Sequence, residues 1–306
     1  MRSRSTPYDE CVASSPAPSS SNLTRRRFLT AGLAGAGAFA LYSGEIARHH
    51  IEITHPQIRI PNLPALFDGF RIAQLSDIHF HQFTEPFFLR DAINHINRLR
   101  PDAVFLTGDF ATYQLLPRTP SITSAWKCAR MLKELECTQR YAILGNHDVI
   151  LSPVALTLAL TQSAITVLRN NFVPLERGSS RIWLAGLDDP VEGHPNLDLA
   201  IPEFLRARTD EPILLLCHAP DFADQLLQHP AAPAVQLMLS GHTHGGQVRF
   251  PFIPPVALPP LGKKYVEGLF RLQNLQLYVN RGLGTVGAPF RLNCPPEITE
   301  ITLRRA

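Results

Sequence analysis

His242 and His244 stand one residue apart in Leu239-Ser240-Gly241-His242-Thr243-His244-Gly245-Gly246-Gln247. Imidazole is the commonest metal ligand among side chains, and flanking glycines let two rings approach neighbouring ions without a Cβ in the way. Alone, His-x-His is a weak signal. Four other short runs give it weight: Asp77-Ile78-His79, Gly108-Asp109, Gly145-Asn146-His147-Asp148, and His218 after Ile213-Leu214-Leu215-Leu216-Cys217. With His147 set aside as a candidate acid, the ligand set is Asp77, His79, Asp109, Asn146, His218, His242 and His244. Divided between two centres that share one carboxylate, it serves two divalent ions. Ions held roughly 3.5–4 Å apart grip a phosphoryl oxygen and lower the pKa of a shared water towards neutrality. Nitrogen and oxygen donors without thiolate suit Mn2+, Fe2+ or Zn2+.

Each run needs a rigid element to deliver it, and the sequence predicts a strand ending on every one. Apolar strands are expected over 70–76, 102–107, 141–144 and 212–217, and Val235, Leu237 and Leu239 alternate into the His242 loop. Polar residues at strand carboxyl ends are where open α/β sheets place their sites. The period-two run Ile51, Ile53, Ile58, Ile60 predicts another strand over 50–61. Helical spacing predicts helices over 86–99, 121–135, 153–162, 197–207 and 221–228, with further strands over 165–168, 172–175, 182–187, 265–272, 276–279 and 298–303. Strands and helices alternate early and strands accumulate late. The pattern predicts an α/β domain in which two sheets form a β-sandwich flanked by helices. No repeat or linker divides residues 49–306, so they are expected to form one domain.

The runs D-x-H, G-D, G-N-H-D, a strand-end His and G-H-T-H-G-G-Q, in this order over about 70–281, resemble the calcineurin-like metallophosphoesterases. Any one is ordinary; the ordered set is specific. The resemblance implies a four-layer α/β/β/α fold. It assigns Asp77, His79 and His244 to a first metal, Asn146, His218 and His242 to a second, and Asp109 to a bridge between them. It also implies that His147 sits over the substrate and protonates the leaving oxygen, while Asp148 orients it and raises its pKa. Asn146 would bind substrate phosphate as well as metal. The implied reaction is in-line attack of a metal-bridging hydroxide on phosphorus, without a covalent intermediate.

Residues 1–24, rich in Ser, Pro and Arg, read as disordered. Thr24-Arg25-Arg26-Arg27-Phe28-Leu29-Thr30 and the uncharged stretch 31–42 resemble a twin-arginine export signal. A basic tail running into a buried helix is the alternative. The apolar stretch is shorter than the ~20 residues of a membrane span. No small-x-small cleavage site is obvious after Tyr42, which leaves 25–48 open as signal or uncleaved tether. With this leader the chain resembles the exported bacterial phosphodiesterase branch, similar to enzymes that cleave UDP-diacylglucosamine pyrophosphate. The resemblance implies the twin-arginine machinery as a partner, and a place in the periplasm or on the outer face of the cytoplasmic membrane. The net charge of +3 owes much to leader arginines and marks no nucleic-acid surface. Five cysteines, an odd number without a CxxC pair, argue against a disulfide framework.

Several residues carry two readings. Arg281, after a strand, would pair with substrate phosphate or form a structural salt bridge. Asp188 and Asp189 would support metal ligands or make a turn before Pro190. His81 would line the pocket or sit in a solvated loop; His49, His50, His55, His95, His194 and His229 are assigned to the surface. The proline-rich apolar segment 250–261 would contact lipid or a greasy substrate, or pack back on its own domain. The leading function is a phosphodiesterase or pyrophosphatase acting on a membrane-associated or lipid-linked phosphate ester. A phosphomonoesterase or nuclease is the runner-up, although no basic or aromatic strip for nucleic acid stands out. A non-catalytic envelope scaffold would have no use for an acid at His147.

Overall fold

The computed structural model describes residues 25–80, 83–113, 119–208, 210–255 and 257–306, with side chains described from 122 onward in the third segment. The disorder expected of 1–24 and both readings of His81 lie outside them. The chain divides into Met1–Phe39 and Ala40–Ala306. Among the described residues it runs α1 (Arg25–Leu41), β1 (Glu52–Thr54), β2 (Gln57–Ile60), β3 (Arg71–Leu75), α2 (Pro86–Leu99), β4 (Ala103–Leu106), α3 (Thr119–Leu132), β5 (Arg140–Ala142), α4 (Asn146–Leu151), α5 (Pro153–Gln162) and β6 (Thr166–Val167). It continues through β7 (Asn171–Arg177), β8 (Ser180–Gly186), α6 (Leu197–Ala200), α7 (Glu203–Arg206), β9 (Ile213–Leu216), α8 (Ala223–Leu226), β10 (Val235–Ser240), β11 (Gly268–Leu272), β12 (Leu275–Val279) and β13 (Glu297–Arg305). No residue of α1 is buried. No helix among the described residues is long and apolar enough to cross a membrane.

Two sheets form the larger unit. One has the order β1-β13-β3-β4-β5-β6, with β2 also on β13; the other is β11-β12-β10-β9-β8-β7. Strands β3, β4 and β5 are mutually parallel, as are β8, β9, β10 and β12. Parallel strands covered on both faces read as unbroken apolar runs, and Ala103-Val104-Phe105-Leu106 and Ile213-Leu214-Leu215-Leu216 are buried throughout. Successive side chains point to opposite faces. Ala103 and Phe105 join Leu214, Leu216, Leu237 and Leu239 in the core between the sheets. Val104 and Leu106 face α2, α3 and α5 on one side, and Ile213, Leu215 and Met238 face α6, α7 and α8 on the other. The layers are therefore α/β/β/α, as expected.

Proline sets several boundaries. Pro86 and Pro153 open α2 and α5 at the first helical position, where a missing N–H costs nothing. The helix expected over 197–207 is two short ones, because Pro202 keeps Ile201 out of the helical region and stops the first. The strand expected over 50–61 is β1 and β2, which pair with β13 in one continuous register and are interrupted at His55-Pro56. The larger compact unit begins at Ala40. Buried Arg48 explains why: its guanidinium donates to Gly44 O, Phe83 O and Glu85. His49, assigned to the surface, instead packs against Phe87 and Phe88 with ring centroids 5.3 and 5.0 Å away, and contacts Glu85 at 3.1 Å.

Candidate metal centre

Every predicted ligand lies at the carboxyl end of a parallel strand: Asp77 and His79 after β3, Asp109 after β4, Asn146 after β5, His218 after β9, and His242 and His244 after β10. The two sheets thus meet at one edge and contribute side chains from both sides. Asp77, His79, Asp109, His242 and His244 all have left-handed backbone conformations, with φ between 46° and 71°. Such conformations cost non-glycine residues free energy and persist where surrounding structure over-determines them. Here it does. Asp77 N–H donates to Gly108 O and His79 N–H to Asp109 O, at 2.9 and 3.0 Å. Gly241 permits the close approach of the two sheets: a Cβ there would stand 2.3 Å from Asp77 Oδ2 and 1.9 Å from Ser76 Oγ.

The ligand atoms gather in the expected sets. Asp77, His79 and His244 offer atoms within 4.8 Å of one another, as do Asp109, His218 and His242. His79 Nε2 lies 3.1 Å from His244 Nε2 and 3.5 Å from Asp109 Oδ2. His218 Nε2 lies 3.3 Å from Asp109 Oδ2, and both histidines come within 4.0 Å of Asp77 Oδ1. Outer partners fix the rings. His218 Nδ1–H donates to Thr107 O at 2.6 Å, His242 Nε2–H to Pro260 O at 2.8 Å, and His79 Nδ1 meets Thr112 Oγ1 at 2.9 Å. This is how metal-binding imidazoles are held to one tautomer. Asn146 Oδ1, His218 Nε2 and His244 Nδ1 are buried without a hydrogen-bond partner. Buried polar atoms are almost always satisfied, so unpartnered Asn146 Oδ1 and His218 Nε2 beside buried carboxylates fit a pair of divalent cations, while His244 turns its Nε2 to Asp77 at 3.4 Å.

Electrostatics point the same way. Burial pushes His79 and His244 well below the ordinary histidine range, helped at His244 by Arg291. Burial and the neighbouring His218 bring His242 down to about 4. At neutral pH these rings carry lone pairs to offer. Burial would lower His218 too, but the charges of Asp109 and Asp77 hold it well above its usual value. Burial would raise Asp109, yet His218, His147 and His79 keep it well below the carboxylate range.

His147 lies beside these ligands, within reach of His79 and Asp109. Its Nδ1 accepts the Tyr113 N–H at 3.1 Å, which assigns the proton of the neutral ring to Nε2. It lies 4.9 Å, ring to ring, from His79 and lines a cavity of about 480 Å3 with Asp109, Asn146 and His242. Asp148 does something other than expected. Its Oδ2 accepts the N–H groups of Asp109 (2.8 Å) and Gly145 (3.0 Å), and its Oδ1 those of Phe110 (3.0 Å) and Ala111 (3.4 Å). It is fully buried and orients two ligand loops rather than the His147 ring.

Arg281 is likewise elsewhere. Its guanidinium donates to Glu297 at 2.9 Å and Glu52 at 3.0 Å, the contacts of the salt-bridge reading, and it is not among the residues that line the cavity described above. Asp188 pairs with Arg169 at 2.9 and 3.0 Å, and Asp189 Oδ2 accepts the N–H groups of Val191 and Glu192, which makes the turn. Sequence reading missed Arg291. Fully buried, it donates to the carbonyls of Arg281, Gly282, Gly284 and Cys294, tying down the loop beneath Asp77 and His244. Its sequence context, Phe290-Arg291-Leu292, carries no signal of that role.

The family model for calcineurin-like phosphoesterases matches residues 70–246. The chain belongs to this family. It is a hydrolase acting on phosphate esters. It is 34% identical to the uncharacterized metallophosphoesterase YkuE of Bacillus subtilis, over 92% of this chain and 98% of that protein. It is 30% identical to the phosphodiesterase YaeI of Escherichia coli, over 92% of this chain and 99% of that protein. It is 32% identical to a transmembrane protein with a metallophosphoesterase domain from Danio rerio, over 87% of this chain and 60% of that longer protein.

Proposed function

We propose that this calcineurin-like hydrolase cleaves phosphodiester or pyrophosphate bonds, in a substrate that carries an apolar group. The observation that carries this reading is the cavity wall. Among the described residues lining it there is no lysine or arginine, while Val248, Leu258, Val286 and Ala288 line it together with the ligands. Two divalent ions would meet the phosphate charge itself, so the wall bears on the substituent, and a greasy one suits walls of this kind. The likeness to the phosphodiesterase YaeI supports the same bond class. A lipid-linked phosphate ester is the substrate class that best fits.

Asp77, His79 and His244 would hold one divalent ion and Asn146, His218 and His242 the other, with Asp109 shared. When bound, the ions supply a Lewis acid for the phosphoryl oxygens and a hydroxide at neutral pH. His147 Nε2–H protonates the departing oxygen, because Tyr113 keeps the ring's other nitrogen an acceptor. Asn146 would donate its amide nitrogen to phosphate, with its unpartnered Oδ1 left to serve a cation. Asp109 also accepts the His147 N–H at 3.0 Å, linking the acid's backbone to the bridging carboxylate.

The test uses the full chain with Mn2+ or Zn2+ added back after chelation, and follows bis-p-nitrophenyl phosphate, p-nitrophenyl phosphate and an alkyl diester. The diester should be cleaved faster than the monoester, and Asp109→Ala should abolish activity and halve or better the metal content measured by mass spectrometry. His147→Ala should lose about 10²–10⁴-fold on the alkyl diester and far less on p-nitrophenyl esters, whose leaving group needs little protonation. A faster monoester reaction, or equal losses across leaving groups, overturns the assignment.

A further inference from the structure

Three apolar segments meet at one edge of the larger unit. Leu41, Tyr42 and Ile46, where the chain enters, are exposed, as are Phe290, Phe250, Ile253 and Phe252, the last at 106% of its reference area. Main-chain bonds hold the segments together. Arg291 N–H donates to Ser43 O at 3.0 Å and Arg249 N–H to Leu292 O at 3.0 Å, while Asn293 Nδ2 donates to Arg249 O at 2.9 Å. The Phe290 ring rests on Gly44, where a Cβ would stand only 3.1 Å from it. The same segments continue into the cavity wall at Val248, Val286 and Ala288.

We infer that this edge is a docking face for a lipid bilayer, with Phe252 and Ile253 inserted and the mouth of the site turned towards the lipid surface. Two observations favour lipid as the occupant. Residues 250–261 carry no charge, and Pro251, Pro254 and Pro255 have no backbone N–H, so an irregular loop there brings fewer unpaired donors into an apolar medium. In sequence, the segment before Leu41 opens on Arg25, Arg26 and Arg27 ahead of an uncharged stretch, and no residue of α1 is buried. Arginines beside exposed apolar residues are the pattern of segments that lie at anionic lipid surfaces. The docking face is independent of which phosphate ester is cleaved.

The experiment places tryptophan at the face. In the full chain, Phe252→Trp is compared with Leu199→Trp, an exposed leucine of α6 outside the three segments. Both are mixed with phosphatidylcholine–phosphatidylglycerol vesicles whose acyl chains are brominated, and the wild-type signal from Trp126 and Trp183 is subtracted. Quenching at 252 with little at 199 is the expected result. No quenching at 252, including on vesicle-bound protein held by α1 alone, overturns the proposal, and so does equal quenching at both positions. A second variant, Phe252→Ser with Ile253→Ser, should weaken vesicle partition roughly tenfold, from the apolar area removed. It should leave bis-p-nitrophenyl phosphate hydrolysis unchanged, so that a failure of docking and a failure of the catalytic reading give different results.

Discussion

Replacing Asp148 by Asn tests how the site is built. The carboxylate takes two backbone N–H groups on each oxygen, at 2.8 and 3.0 Å on Oδ2 and at 3.0 and 3.4 Å on Oδ1. An amide of the same shape turns one oxygen into a donor that faces two donors. The less costly orientation keeps the short pair from Asp109 and Gly145 and gives up Phe110 and Ala111. Hydrogen bonds to charged groups contribute about 1.5–3 kcal/mol each, and the 3.4 Å bond falls at or below the low end. The expected loss is about 3 kcal/mol, or roughly 6–12 °C in melting temperature for a domain of this size.

A counter-effect sharpens the test. Burial and the nearby Asp109 charge push Asp148 up to about 8, against the pull of the Gly145 amide, His218 and the Ala111 amide. Were the acid neutral in the native state, Asn would replace it almost without cost. The geometry favours the carboxylate, because every hydrogen-bond partner found for its oxygens is a donor. Urea melts at pH 7, with and without Mn2+, measure the difference. A loss under about 1 kcal/mol would refute the amide-cradle reasoning, and a changed pH–rate profile at full stability would restore Asp148 as a partner of His147.

Glu297 and the leader give two further predictions. Burial would raise the Glu297 pKa, but Arg281, with the Tyr278 and Thr54 hydroxyls, holds it below its ordinary 4.5. A group with a depressed folded pKa stabilises the fold above its unfolded pKa, and that contribution is lost as pH falls below 4.5 through the folded value. Glu297→Gln should therefore cost about 3–5 kcal/mol at pH 7, as expected for breaking a buried pair. The gap in denaturant midpoints should narrow as pH falls below 4.5; a gap that stays constant with pH excludes the charged pair. If residues 24–42 direct twin-arginine export, lysine at Arg25, Arg26 and Arg27 should keep the charge yet leave the protein in the cytoplasm of a bacterial host. Undiminished periplasmic protein would remove the signal reading.

The ligands were legible because each is announced locally. A strand ends and the donor follows, behind a glycine at Asp109, Asn146 and His242 and without one at Asp77 and His218, so these five can be read without knowing the fold. Helices 86–99 and 153–162 were legible to the residue because proline marks their starts. What stayed hidden depends on partners distant in sequence. Asp148 meets the amides of residues 109–111, which lie 37 to 39 positions away. Arg281 finds Glu52 across 229 positions, and no local pattern distinguishes that pairing from an exposed arginine waiting for phosphate. His49 was misread for the same reason: its aromatic neighbours and Glu85 belong to α2 and the residue before it.

Asp148 and Arg291 solve one problem from opposite sides. Each ligand run leaves its strand to aim a side chain, so its backbone forfeits the ladder that would satisfy its N–H and C=O groups. Those orphaned groups sit in a dry seam between two sheets, where water cannot serve them. A buried acid gathers the N–H groups of the Asp109 and Gly145 loops, and a buried base gathers the carbonyls of the Arg281–Cys294 loop. Five ligands held at positive φ survive because these two side chains, with the strand ends, leave the loops no alternative conformation. The sheets are thereby locked at the edge where both must deliver donors. Loss of either buried charge should loosen ligands that it never touches, which is why stability and metal content, rather than rate alone, report on this centre.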